Sequence, residues 1–273
     1  MNTNPLGLIT SYPNKYSPEL LFAIPRQSNR KILGLNSEKL PFSGYDVWRA
    51  YELSWLNSRG KPVAAVGILT IPCESRNIVE SKSLKLYLNS MNQTRFPDMA
   101  TVEKLISHDL SQLVDADVIV HLVPVVSLKE LDVAEPAGIC IDHADVDVAI
   151  YEPAPHLLKS ERNRTVSETL YSNLFRSNCP VTGQPDWGTV VIDYCGGAID
   201  HAALLGYLVS YRSHEGFHED CTEQIYLDLI ERCAVQSLRL SINFLRRGGI
   251  EINPVRFFAA SQTSFYMPRF TRQ

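Results

Sequence analysis

The chain lacks the sequence features of membrane, secreted and nucleic-acid-binding proteins. Its longest apolar run, residues 63–71 (VAAVGILTI), is far shorter than the roughly 18 residues that a membrane-spanning helix needs, and it is typical of a buried strand. The N-terminus, MNTNPLGLIT, has no basic start followed by an apolar core, so we expect no secretory signal. The net charge of -4 argues against a protein whose main task is to hold a phosphate backbone. We therefore expect a cytoplasmic protein that contacts neither membranes nor nucleic acid directly.

The motifs of zinc ribbons, disulfide frameworks and common nucleotide folds are also missing. No C-x-x-C pair occurs among the six cysteines, so we expect free thiols, of which one or two carry chemistry. No G-x-G-x-x-G follows a predicted strand and there is no P-loop, so a nicotinamide cofactor would not be bound as in a Rossmann fold.

What is present is a repeated order of α and β elements. Periodicity predicts strand, strand, helix, helix, strand in the first half, and strand, helix, helix, strand in the second. We infer two tandem copies of one α+β unit, at 41–135 and 166–273, joined by a linker at 136–165 and preceded by a loosely packed arm at 1–40. The predicted strands are 45–55, 62–71, 118–126, 188–195 and 250–260, and the predicted helices are 81–92, 98–114, 202–211 and 222–240.

A cysteine-containing loop, residues 177–188 (SNCPVTGQPDWG), is the first candidate for chemistry. Pro180 forces Cys179 out of the helical region of backbone space, and such shaped loops often carry functional residues. Asp186 follows seven residues later, and a folded loop can bring its carboxylate back to the thiol. The residues alone favour an inert buried thiol and a turn aspartate, because most cysteines are core residues.

Two further segments contain pairs of basic residues that could bind phosphate groups. In residues 80–90 (ESKSLKLYLNS), Lys82 and Lys85 share one helix face and suit phosphate groups, although a solvated amphipathic helix explains them too. Residues 246–249 (RRGG) form either the end of the long predicted helix or a phosphate clamp.

Residues 214–218 (HEGFH) match the H-E-x-x-H signature of zinc peptidases. That motif needs a helix that places both histidines on one face, and Gly216 weakens such a helix. Another zinc site can be drawn from His218, Cys221 and Cys179, but it lacks a tight ligand pair.

Taken together, these segments resemble the NADPH-dependent 7-cyano-7-deazaguanine reductases, the nitrile reductases of queuosine biosynthesis. ESKSLKLYLNS, with the following 92–96 (NQTRF), looks like the family signature, and SNCPVTGQPDWG looks like its catalytic segment. Residues 217–219 (FHE) and 246–249 (RRGG) follow in the family's order. The match runs from about residue 35 to the end and is similar to the long form of the family.

The resemblance implies a tunnelling fold: two tandem units of antiparallel sheet with helices packed on one face, assembling into a homodimer or higher oligomer. It implies that Cys179 attacks the nitrile carbon of a deazapurine to give a thioimide, with Asp186 as general acid and His218 as a proton relay. NADPH is the implied cofactor and no metal is required. The implied substrate-binding residues are Val79, Glu80, Ser81, Phe217, His218 and Glu219, and the implied cofactor-binding residues are Ser81, Lys82, Lys85, Arg247 and Gly248.

Three other functions remain open on the sequence alone. A nitrile hydrolase would share the covalent start but use water as its second reactant. A zinc-dependent hydrolase, resembling GTP cyclohydrolase I or a zinc peptidase, would contain bound metal. A non-catalytic purine-binding protein would keep its affinity without Cys179.

Overall fold

The computed structural model describes residues 13–37, 39–126, 133–259, 268–271 and 273. Within these residues the chain forms ten strands and five α-helices. The strands are β1 Ala23–Pro25, β2 Ser43–Leu56, β3 Pro62–Pro72, β4 Asn77–Val79, β5 Ile119–Pro124, β6 Ile139–Cys140, β7 Ser160–Asn178, β8 Pro185–Ile199, β9 Val235–Phe244 and β10 Ile250–Phe258. The helices are α1 Arg26–Ile32, α2 Ser81–Ser90, α3 Met99–Val114, α4 His201–Ser210 and α5 His218–Arg232.

Eight of these strands form one sheet in the order β5-β3-β2-β10-β9-β8-β7-β6. Neighbours are antiparallel except for the short β6, which runs parallel to β7. The last strand, β10, pairs with the first long strand, β2, from Ile250 opposite Ala50 to Phe257 opposite Ser43. The two halves of the chain therefore share a single sheet that is continuous across the β2–β10 seam. The predicted α+β class, with helices on an antiparallel sheet, is confirmed.

Each half buries its own apolar cluster between the sheet and its helices. In the first half, α3 places Val102, Ile106 and Leu110 against the sheet, all completely buried at the i, i+4 spacing of one helix face. Asp98 starts this helix, since its carboxylate accepts a hydrogen bond from the Thr101 N–H. In the second half, α4 and α5 cover β7, β8 and β9. No helix in the described part of the chain is long and apolar enough to cross a membrane.

The predicted helix 222–240 is wrong in its second part. Helix α5 ends at Arg232, and the chain turns at Ala234, which has a positive φ of 49°. Beyond the turn, the buried side chains Leu238, Leu240 and Ile242 alternate with more exposed ones, which is the period of a strand. Consequently RRGG does not end a helix; it forms the turn between β9 and β10, with φ of 54° at Gly248 and 72° at Gly249.

Two other segments differ from expectation. Strand β7 spans nineteen residues, most of which the sequence left without an assignment, because polar residues dominate its exposed first half. The expected loosely packed arm is also wrong for its described part, since α1 buries Arg26 and Arg30. Charged side chains usually indicate a solvent-exposed segment. Here both guanidinium groups are buried and paired with buried carboxylates.

Candidate active site

One cavity, of about 270 Å³, brings together residues from both halves of the chain. Its floor is the β2–β10 seam, and its walls are the first turns of α2 and α5 and the hairpin between β7 and β8. This volume lies near the lower end of the range for small-molecule sites, so it suits one fused ring system. The residues implied by the resemblance that line it are Val79, Glu80, Ser81, Lys82, Lys85, Cys179, Asp186, Phe217, His218, Glu219 and Arg247.

Cys179 lies in the tight turn of the β7–β8 hairpin. The turn is closed by two backbone hydrogen bonds, from the Cys179 N–H to the Gln184 carbonyl and from the Gly183 N–H to the Cys179 carbonyl, both 2.9 Å. Burial raises the pKa of the thiol, but hydrogen bonds donated to the sulfur by the Thr182 hydroxyl, by the N–H groups of Val181 and Thr182 and by Arg247 outweigh it. The net pKa is lower than that of an ordinary thiol. A lowered pKa is the property that makes a cysteine nucleophilic.

Asp186, on β8, stands between a cation and a histidine. Its two carboxylate oxygens lie 2.6 Å from Arg247 Nη1 and 3.3 Å from His218 Nε2. Burial acts to raise the pKa of Asp186, but its contacts with His218 and Arg247 outweigh burial and bring the pKa below its usual value. In the free protein Asp186 is therefore a carboxylate, and any proton that it donates must first reach it from a neighbouring group.

His218 begins helix α5 and is held in one orientation by its neighbours. Its ring stacks on Phe244 with centroids 3.8 Å apart and planes 5° from parallel. Nε2 faces Asp186, while Nδ1 is buried and has no hydrogen-bond partner among the described residues. An imidazole fixed in this way is suited to passing protons to and from Asp186.

Glu219 presents a buried carboxylate at the same cavity. It is 3% exposed, and its Oε1 has no hydrogen-bond partner among the described residues. Burial, and next the charge of Asp46, raise the pKa of Glu219 to about 7. An unpaired buried acceptor of this kind fits a ligand that brings N–H donors.

The first turn of α2 forms the opposite wall. The Glu80 carboxylate caps this helix, accepting hydrogen bonds from the N–H groups of Lys82 at 2.8 Å and Ser83 at 2.7 Å. Val79, on β4, is buried beside it, and Ser81 is the first helical residue. Glu80 keeps free lone pairs for a ligand donor, because a carboxylate has about four acceptor positions.

Cationic side chains line the mouth of the cavity and fit a phosphorylated cofactor. Lys85 and Arg247 are half-buried and Lys82 is exposed. Both cations line the cavity, and burial, and next the charge of Arg247, lower the pKa of Lys85. Gly248 adjoins them: a Cβ built on it would lie 3.2 Å from Lys85 Cε. Clustered cations and a bare backbone are the features with which proteins bind phosphate.

The H-E-x-x-H reading is contradicted. His214 lies in extended backbone before the helix, and α5 begins only at His218, so the two histidines do not share a helix face. No group of three His, Cys, Asp or Glu side chains among the described residues is placed to hold a metal ion. The zinc-dependent alternative therefore finds no support in the residues that the structure describes.

Sequence reasoning does not single out Trp48, Thr182 or Phe244, which the structure places at the cavity or directly behind it. The position of Thr182 inside the cysteine hairpin is a usable signal, because a hydroxyl three residues from a thiol can turn back to it. Trp48 and Phe244 give no such signal, since their roles depend on how β2 and β9 sit in the sheet.

Two protein-family models match the chain. The model described as "Nitrile reductase, 7-cyano-7-deazaguanine-reductase N-term" matches residues 12–122, and the model described as "QueF-like protein" matches residues 185–262. The first covers the α2 wall of the cavity, and the second covers Asp186, the α5 wall and the β9–β10 turn. Together they span the greater part of the described sheet.

Curated relatives match over nearly the full length of the chain. The chain is 50% identical over 254 residues to a protein of Desulfotalea psychrophila, covering 92% of this chain and 91% of the relative. It is 51% identical over 253 residues to a protein of Coxiella burnetii, covering 92% and 90%, and 49% identical over 255 residues to a protein of Dechloromonas aromatica, covering 93% and 90%. Each of these relatives is named NADPH-dependent 7-cyano-7-deazaguanine reductase.

Proposed function

The chain belongs to the family of NADPH-dependent 7-cyano-7-deazaguanine reductases, and we propose that it reduces the nitrile of 7-cyano-7-deazaguanine to an aminomethyl group with Cys179 as nucleophile. This reaction belongs to the synthesis of queuosine, a modified nucleoside of tRNA. The observation that carries the assignment of the nucleophile is the position of Cys179 in the cavity that also holds Asp186, His218 and Glu219, and the lowered pKa of its thiol supports it.

The residues that bind the base lie at and just before the first turns of α2 and α5. The guanine-type ring carries an amino group and a ring N–H on one edge, and Glu219, whose Oε1 is unpaired, accepts from them. Glu80 and Ser81 face the ring from the start of α2, and Val79 and Phe217 supply apolar contact on its faces. Only the ionised form of Glu219 accepts with both oxygens, so binding of the donor edge favours loss of its proton.

The first chemical step is addition of the Cys179 thiol across the carbon–nitrogen triple bond. Sulfur bonds to the nitrile carbon, and the thiol proton ends on the nitrile nitrogen, which gives a thioimide. Asp186, a carboxylate in the free protein, takes up this proton and returns it to nitrogen, and His218 holds Asp186 in place and relays protons with it. Arg247 contacts both Asp186 and the thiol, so it stabilises the thiolate before attack.

Bound NADPH would supply one hydride per molecule, so two molecules in succession, each hydride matched by a proton, would be needed to take the thioimide to the amine and free the thiol. Lys82, Lys85, Arg247, Gly248 and Ser81 would hold it at the mouth of the cavity. The enclosing walls keep water from the imine that follows release of Cys179, because hydrolysis there would give an aldehyde.

We further propose that the enzyme works in the cytoplasm as a homodimer or higher oligomer, without contact to nucleic acid, and that 41–135 and 166–273 are its tandem units. All six cysteines are free, which suits a reducing compartment. Among the described residues, β5 and β6 are the edge strands of the sheet, and Ile119 and Ile139 are exposed there. Such edges favour pairing with a further copy, and sedimentation velocity would measure the oligomeric state.

Intact-mass measurement after mixing protein with substrate, without NADPH, tests the nucleophile. We expect a mass increase of one substrate molecule on the wild type and on Cys195→Ala, and none on Cys179→Ala. A labelled Cys179→Ala protein would refute Cys179 as the nucleophile. Release of an amide or acid without NADPH would instead indicate a nitrile hydrolase.

A further inference from the structure

A second buried polar group at the cavity has no partner and no role in the mechanism above. Trp48, on β2, lines the cavity floor and is 1% exposed. Its indole Nε1 is buried and makes no hydrogen bond with any of the described residues. Folded proteins rarely leave a buried N–H unpaired, because the group loses its hydrogen bond to water and gains nothing in return.

The neighbours of Trp48 connect it to the carboxylate that binds the base. Alternation along β2 puts Asp46 and Trp48 on the same face of the sheet. Asp46 lies close enough to Glu219 for its charge to act on that carboxyl group. Two residues that line the cavity therefore each carry an unpaired buried polar atom: Trp48 has the donor Nε1, and Glu219 has the acceptor Oε1.

We propose that Trp48 is a specificity-determining residue whose indole N–H donates a hydrogen bond to the ring carbonyl oxygen of the base. The inference rests on the proposed function, because a guanine-type ring presents an amino group, a ring N–H and a carbonyl side by side. Glu219 accepts from the two donors, and Trp48 satisfies the adjacent acceptor. An indole only donates, so a base with an amino group in place of the carbonyl meets donor against donor and is rejected.

Trp48→Phe removes the N–H together with one ring of the buried indole, so the effect of lost packing needs a control of its own. Trp55→Phe is the matched control: Trp55 is on the same strand, is also 1% exposed and packs in the apolar cluster of the first half, away from the cavity. Calorimetric titration of the base in a Cys179→Ala background measures affinity without covalent capture. We expect Trp48→Phe to weaken binding about tenfold and Trp55→Phe to leave it unchanged.

The 6-thio analogue of the substrate identifies the atom that is read. It keeps both donors but replaces the carbonyl oxygen with sulfur, a weaker acceptor. We expect the Cys179→Ala protein to bind it more weakly than the parent base, and the Trp48→Phe double variant to bind the two alike. Equal affinity of the parent base for Trp48→Phe and Trp55→Phe proteins would overturn the proposal.

Indole NMR gives an answer even if Trp48→Phe does not fold. The chain has three tryptophans, so ¹⁵N-tryptophan labelling gives three indole signals, assigned by Trp55→Phe and Trp187→Phe. We expect the Trp48 indole proton to move downfield and exchange more slowly when the base binds; an unchanged signal at saturation would refute the hydrogen bond. If the wild type neither binds the base nor oxidises NADPH with it, the proposed function itself fails.

Discussion

The reactivity of Cys179 depends on hydrogen bonds that single side chains donate to its sulfur. Arg247 is the charged donor among them, and it also pairs with Asp186. The order of residues in the cysteine hairpin reveals the thiol, but the guanidinium comes from a turn almost seventy positions later. Its contribution is therefore visible only in the folded chain.

Replacing Arg247 by Gln should raise the pKa of Cys179, since a cationic donor that favours the thiolate is lost. The rate of alkylation by iodoacetamide, followed at the Cys179 peptide as a function of pH, should then reach its midpoint at higher pH than in the wild type. Arg246→Gln is the control, because Arg246 lies over the ring of Tyr51 instead. A midpoint that stays in place or moves down in Arg247→Gln would contradict this account.

Glu219 should make stability depend on pH in the direction opposite to most carboxylates. Its folded-state pKa is raised to about 7, so folding favours its protonated form. This contribution is fully present below the unfolded pKa of about 4.3 and is lost as pH rises through about 7. Urea unfolding at pH 5 and pH 8 should show a smaller decline for Glu219→Gln than for the wild type. An equal decline in both proteins would show that Glu219 is not the group responsible.

At the scale of elements, local patterns predicted some segments well and others poorly. Strand β3 and helix α3 were predicted nearly to their ends, because apolar periodicity and the Asp98 cap are local signals. For the first part of β9 the sequence predicts the end of a helix instead, because apolar and polar residues follow one another there without a proline or glycine break. The cavity floor was not predicted at all, since it depends on the pairing of β2 with β10 across the whole chain.

The Glu80 cap links the stability of α2 to the shape of the active site. Glu80→Ala should lower the free energy of unfolding by about 1 kcal/mol and also raise KM, because Glu80 itself lines the cavity and the first turn of α2 that it caps carries Ser81 and Lys82. Asp200→Ala is the matched control, as Asp200 caps α4 by accepting from the Ala203 N–H at 3.0 Å. For Asp200→Ala, urea unfolding should show a similar loss of stability, and steady-state kinetics should show an unchanged KM. An unchanged KM in Glu80→Ala would show that Glu80 and the helix start that it caps do not affect substrate binding.

At the scale of the whole molecule, a buried network of charges ties the two halves together. Arg256 on β10 pairs with Asp46 on β2 and with Glu223 on α5, both at 2.8 Å. Arg26 and Arg30 of α1 complete the network through the same two carboxylates. This network lies beside Glu219 and fixes the seam on which the cavity rests. No local sequence pattern indicates this buried network, because charged residues in a sequence usually indicate solvent-exposed positions.

Replacing Arg256 should therefore strongly destabilise the folded protein. Arg256→Met should lower the free energy of unfolding by about 3–5 kcal/mol, because it leaves two buried carboxylates short of a partner. The exposed pair Arg76–Asp115, at 3.9 Å, supplies the control, and Arg76→Met should cost less than about 1 kcal/mol. Urea denaturation of both variants measures the difference, and equal losses would mean that the network does not hold the seam.

The most direct test of the central claim is the stoichiometry of NADPH oxidation when 7-cyano-7-deazaguanine is added to metal-free protein, for the wild type and for Cys179→Ala. The account predicts that the wild type oxidises two NADPH for each nitrile converted to the amine, and that Cys179→Ala oxidises none. A folded wild type that binds the base but oxidises no NADPH would contradict the account, as would turnover by Cys179→Ala.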